Sequence, residues 1–105
     1  MAEMSSILEL DYPLLKACLE SRPGGWKDFV DRFLGLVLHT IDQTAHCNRI
    51  TLTREERSDL CESIFRALWH NDKELLRKFN YTSSVSTYLA VVVRRVVVTF
   101  LAAAE

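Results

Sequence analysis

The stretch Val85-Ser86-Thr87-Tyr88-Leu89-Ala90-Val91-Val92-Val93-Arg94-Arg95-Val96-Val97-Val98 decides the fold. Two runs of three valines favour a strand on propensity alone, because branched side chains pack well on a pleated surface. Two such strands would need turn residues between them, and Arg94-Arg95 is no turn. The segment is therefore predicted as a helix, with packing overriding propensity in a buried element. It starts near Val85, after the polar loop Asn80-Tyr81-Thr82-Ser83-Ser84, which ends in good cap residues. The apolar run from Tyr88 to Ala104 is interrupted at its centre by two arginines that a bilayer would tolerate poorly. A buried helix, not a membrane span, is expected.

Working outward, Thr53-Arg54-Glu55-Glu56 has the form of a capping box and starts a helix that runs from Arg54 to about His70. Leu60, Ile64 and Leu68 make one apolar stripe on it; Cys61, Phe65 and Trp69 make a neighbouring one. Two stripes are wider than one core contact needs, so either part of this helix serves an external partner or both stripes are core. Asn71-Asp72 breaks the pattern, and Lys73 to Phe79 forms a short helix or extra turn. Further upstream, Trp26, Phe29, Val30, Phe33, Val37 and Ile41 step by three and four, the strongest amphipathic pattern in the chain, ending near Thr44 to Asn48. Leu10, Leu14, Leu15, Cys18 and Leu19 predict a short helix from about Asp11 to Ser21, with Pro13 near its first turn. Arg22-Pro23-Gly24-Gly25 stops it. The expectation is an all-α, four-helix compact bundle: one domain over residues 1–105, with its core from about 10 to 101.

The 105 residues, 49% apolar and 26% charged, suit one soluble globular domain. The net charge of −1 is unevenly spread. Residues 1–31 hold three basic and six acidic groups, whereas residues 66–100 hold six basic and two acidic, so a polyanion would be met by the last third. Cys18, Cys47 and Cys61 are odd in number and never spaced as ligand pairs, which reads as reduced thiols of a cytoplasmic protein. With His39, His46 and His70 also dispersed, no metal site or cofactor is expected. The amino terminus lacks the pattern of a secretory signal.

There is no glycine-rich phosphate loop, nucleophile elbow or His-Glu-x-x-His. Glu55, Glu56 and Asp59 sit at a helix start, where carboxylates favour the positive end of the macrodipole. An enzyme is the least supported class.

The segment from Asp59 to Trp69 and the one from Ser83 to Arg95 resemble the second conserved region of bacterial RNA polymerase sigma factors, most closely the extracytoplasmic-function (ECF) type. Members tend to read Asp-Leu-x-Gln-Glu-x-Phe-x-x-Leu-Trp, and Asp59-Leu60, Phe65 and Leu68-Trp69 stand in register. A second block, Ser-x-x-Thr-Trp-Leu-x-x-Ile-Ala-Arg-Asn, matches Ser84, Thr87, Leu89 and Arg94, with Tyr88 in the Trp position. Trp26-Lys27-Asp28-Phe29-Val30-Asp31-Arg32-Phe33 is similar to the aromatic-rich helix that packs beneath these two.

The resemblance implies a transcription initiation domain that binds RNA polymerase core and helps recognise and melt the minus-ten promoter element. It implies docking on a coiled coil of the β′ subunit through Asp59, Leu60, Glu62, Ser63, Arg66 and Trp69, and contact with promoter DNA through Ser84, Thr87, Tyr88, Arg94 and Arg95. Tyr88 would support a base platform and the arginines would meet phosphates. An anti-sigma factor is a further candidate partner; a membrane is not. Glu62 replaces the usual Gln with an acceptor-only carboxylate. Arg95 replaces Asn, and Val96 to Ala104 replaces the polar and basic residues expected there. No helix-turn-helix domain for the minus-thirty-five element follows, which leaves a fragment of a longer factor or a sigma-like domain alone; the Val- and Ala-rich tail favours the fragment. The alternative is a sigma-like helical interaction module or regulator without promoter recognition.

Overall fold

The computed structural model describes residues 2–103, with side chains from residue 11 onward. Four helices follow in order: α1 (Ala2–Leu19), α2 (Gly25–Cys47), α3 (Arg54–Arg77) and α4 (Val85–Ala103). No strand occurs among the described residues. The all-α, four-helix expectation is met. Leu10 and Ala104 lie outside what is described at side-chain level.

The first helix differs from its expected bounds. It begins at Ala2 instead of Asp11, and Pro13 therefore lies in its interior. No Gly or Pro occurs between Ala2 and Tyr12 to stop the helix earlier, and Pro13 is exposed, so its ring and its missing N–H face solvent. The next turn depends on two glycines for different reasons. Gly24 takes a left-handed φ of +76°, which costs a residue without Cβ little. Gly25 is buried where α1 and α2 touch, and a Cβ there would lie 2.6 Å from the Ala17 carbonyl oxygen.

Helix α2 is the centre of the bundle and packs against the other three helices. Phe29, Phe33, Val37 and Ile41, all fully buried, recur every fourth residue and so fall on one face. Burying each of these side chains contributes about 1.5–3 kcal/mol. Around them lie Leu60, Ile64 and Leu68 of α3 and Val85, Leu89, Val93 and Val97 of α4. The valines thus make a helix because their inward-facing members complete this core. By length and composition α4 could also cross a membrane, yet its apolar stripe is used within the bundle.

Two ion pairs tie α2 to its neighbours. The Arg32 guanidinium donates to both carboxylate oxygens of the nearly buried Asp11 on α1, at 3.0 and 3.2 Å. Arg57 of α3 does the same to Asp42 at 2.8 and 3.0 Å, which raises the Arg57 pKa and holds the Asp42 carboxyl below its ordinary value.

Helix α3 starts as its capping box requires. The Glu56 N–H donates to Thr53 Oγ1 at 3.1 Å, and the Thr53 N–H donates to Glu56 Oε1 at 3.0 Å. Its continuity ends at His70, and Asn71, Asp72 and Lys73 all take left-handed backbone angles. Asn and Asp tolerate this conformation; a lysine does so at a cost of roughly 1–2 kcal/mol. Lys73 is 2% exposed. Its Nζ donates to the Cys18 carbonyl at 2.8 Å and Ser21 Oγ at 3.0 Å, and lies 4.9 Å from the centre of the Trp69 ring. Arg77 adds a bond of 2.8 Å to the Leu19 carbonyl. Two cations of α3 thereby meet the negative end of α1.

Candidate polymerase and nucleic-acid interface

On α3, Asp59, Glu62 and Arg66 are exposed and Ser63 is half-buried. They occur at steps of three and four, so they share the outer side of the helix. Arg66 donates to Glu62 Oε1 at 2.6 Å, which partly neutralises the strip. Leu60 does not belong to it. One residue beyond Asp59, it turns about 100° around the helix and is 1% exposed in the core, which corrects its assignment to a docking face.

The second apolar stripe of α3 grades outward. Cys61 is buried, Phe65 half-buried, and Trp69 50% exposed. Trp69 meets Trp26 edge-on at 4.7 Å, while Trp26 also stacks on Phe29 at 5.6 Å and meets Phe65 at 6.3 Å. The exposed tryptophan is therefore anchored from below by an aromatic row that runs into the core. Such a side chain offers large apolar area at low entropic cost to a partner.

On α4, Ser84 and Thr87 build the helix start. The Thr87 N–H donates to Ser84 Oγ at 3.0 Å, and Ser84 Oγ donates to Thr87 Oγ1 at 2.8 Å. This is an N-cap interaction that occupies the Ser84 hydroxyl as donor and acceptor, while Thr87 Oγ1 accepts. Tyr88 is half-buried against Phe79, ring centres 5.2 Å apart, and its hydroxyl donates to the Leu75 carbonyl at 2.6 Å. Burial raises the phenol pKa, with Arg95 pulling the other way. Tyr88 thus has a structural task that joins α4 to the end of α3, and its hydroxyl is committed.

Arg94 and Arg95 are exposed and have no ion-pair partner among the described residues. They line a shallow outer depression with Val91, Val98 and Thr99. Residues 85–103 contain no Asp or Glu, so the charge this surface of α4 carries is cationic. Ser84, Thr87, Val91, Arg94 and Val98 follow one another at three- and four-residue steps along it.

Several residues that shape the site carry no local signal in the sequence. Lys73, Arg77 and Asp11 reach across to other elements through partners 21 to 58 residues away. No group of three metal-ligating side chains forms among the described residues. Cys18 and Cys61 are buried free thiols whose pKa values are raised by burial, and Cys47 is an exposed free thiol. Comparison with protein-family models, curated proteins and solved structures gives no match.

Proposed function

We propose that the chain is the polymerase-binding, promoter-opening domain of a sigma-type transcription initiation factor of the ECF kind, working in the cytoplasm. The observation that carries this reading is the outer side of α4, where Arg94 and Arg95 have no carboxylate partner among the described residues, on a helix without an acidic residue. Two exposed guanidinium groups within one turn of apolar side chains suit a phosphate backbone whose bases are partly unstacked. The neighbouring helix supports the other half of the role. Its outer strip of Asp59, Glu62, Ser63 and Arg66, flanked by Trp69, suits docking on a helical partner such as the β′ coiled coil. The role is binding, and no reaction is assigned to it.

Tyr88 and Glu62 favour a second reading. Tyr88 holds α4 to the Leu75 carbonyl, and Glu62 is engaged by Arg66. Both features suit a sigma-like interaction module that binds protein without reading DNA.

Pull-down of core polymerase by the purified chain, beside binding of single-stranded minus-ten DNA, tests both. The first reading expects both interactions, with Asp59→Ala and Trp69→Ala weakening only the polymerase one. Polymerase binding without DNA binding selects the second. Absence of both overturns the proposal. Leu60→Ala is unsuitable as a probe, because it opens a cavity in the core.

A further inference from the structure

A cleft of about 350 Å³ lies between the last turns of α2 and the middle of α4. Thr40, Gln43, Thr44, Cys47 and Asn48 form one wall; Ala90, Arg94 and Val98 form the other. Polar groups on the α2 wall bond back to their own helix. Thr40 Oγ1 donates to the Leu36 carbonyl at 2.8 Å, Thr44 Oγ1 to the Thr40 carbonyl at 2.7 Å, and Asn48 Nδ2 to the Thr44 carbonyl at 2.7 Å. Each group thus turns a proton onto its own helix. What the two hydroxyls have left are lone pairs. The Thr44, Cys47 and Asn48 part of this wall lies at the C-terminal, partly negative end of α2. The α4 wall carries the opposite charge in Arg94, which has no acidic partner among the described residues.

We infer that this cleft is a binding site for a small zwitterion, of the class of free α-amino acids. The ligand carboxylate pairs with the Arg94 guanidinium, whose fork matches its geometry. The ammonium donates to the Thr40 and Thr44 oxygens at the carbonyl end of α2, and Ala90 and Val98 face the aliphatic part. A phosphate dianion fits less well, since Arg94 is the one cation of the lining and the opposite wall is neutral. The volume lies at the small end of ligand sites, as a ligand of this size requires. The inference is independent of the promoter reading, although Arg94 would serve both.

The test is an NMR titration of the isotope-labelled chain with individual amino acids, with their N-acetylated and amidated forms, and with inorganic phosphate. The expected result is saturable shifts of the Thr40, Thr44 and Ala90 amides by at least one amino acid in the millimolar range. Blocking either end of that ligand, or Arg94→Gln, weakens binding about tenfold or more. Thr44→Val, which keeps the side-chain shape, weakens the amino acid and leaves any DNA binding unchanged, which separates this site from the outer face of α4. No saturable shift at tens of millimolar overturns the inference. So does equal binding of the blocked forms, tighter binding of phosphate, or indifference to Arg94→Gln in a variant whose spectrum shows an intact fold.

Discussion

The Lys73 ammonium group lies 2.8 Å from the Cys18 carbonyl oxygen, 55 residues away in sequence, and this contact accounts for the break in α3. Residues 71–73 do not keep right-handed helical angles here. Three left-handed residues instead fold the chain back, so that the cation reaches the carbonyl end of α1 while Leu76 and Phe79 still enter the core. A charged donor to a carbonyl is worth about 1.5–3 kcal/mol, enough to offset a left-handed lysine. Lys73→Met keeps the apolar stem and loses the donor, so it should destabilise the fold by about 2 kcal/mol. Urea unfolding checks this; a midpoint equal to the parent's would show that the contact contributes nothing.

The glycine pair between α1 and α2 separates two kinds of backbone requirement. At Gly24 there is open space but a φ of +76°, so Gly24→Ala should cost about 1 kcal/mol from conformation alone. At Gly25 the backbone angle is ordinary, but an added Cβ would meet the Ala17 carbonyl oxygen at 2.6 Å and its carbon at 2.9 Å. Backbone atoms cannot swing aside as a side chain can. Gly25→Ala should therefore cost about 3 kcal/mol by forcing the helices apart, and the order of the two urea midpoints tests the distinction.

Acid should loosen the start of α3. The N–H and hydroxyl of Thr53 hold the Glu56 carboxyl below its ordinary pKa. A folded-state value below the unfolded one means that the contribution is complete above the unfolded pKa, about 4.3. It is lost as pH falls through the folded value. Asp42, lowered by Arg57, and Glu74, lowered by its bond from Asn71, act in the same direction. The thermal midpoint should thus fall below about pH 4.5. In Glu56→Gln that fall should be shallower but present. Identical pH profiles for the two proteins would remove the capping box from the cause.

What the sequence made legible follows from the range of each interaction. The capping box is a four-residue pattern, and the core face of α2 is a repeat within one helix, so both can be read locally. The valine-rich α4 was decided by the absence of a turn at Arg94-Arg95, and burial of Val85, Leu89, Val93 and Val97 supplies the physical reason. Leu60 was misplaced because a neighbouring pair in a motif, Asp59-Leu60, points to two sides of a helix. Lys73 was illegible, since a lysine is buried only where distant groups satisfy its charge, and the carbonyl end of α1 has no signature in residues near it. The length of α1 was missed because Pro13 reads as a helix start when only the apolar spacing after it is considered.

The arginine pair on α4 offers the sharpest test of the proposed role, because phosphate contacts are measured by their salt dependence more directly than by affinity. Each contact to a single strand contributes about 0.7 to the slope of log affinity against log salt. Replacing Arg94 and Arg95 together by Gln should then lower that slope for single-stranded minus-ten DNA by about 1.4. Removing two charges elsewhere is the necessary control. Arg22 and Lys27 are exposed and paired with Glu20 and Asp31, and replacing both by Gln makes the same change in net charge. If the control variant shifts the slope as much as the arginine pair does, the chain attracts nucleic acid only through its overall charge, and α4 is not the contact surface.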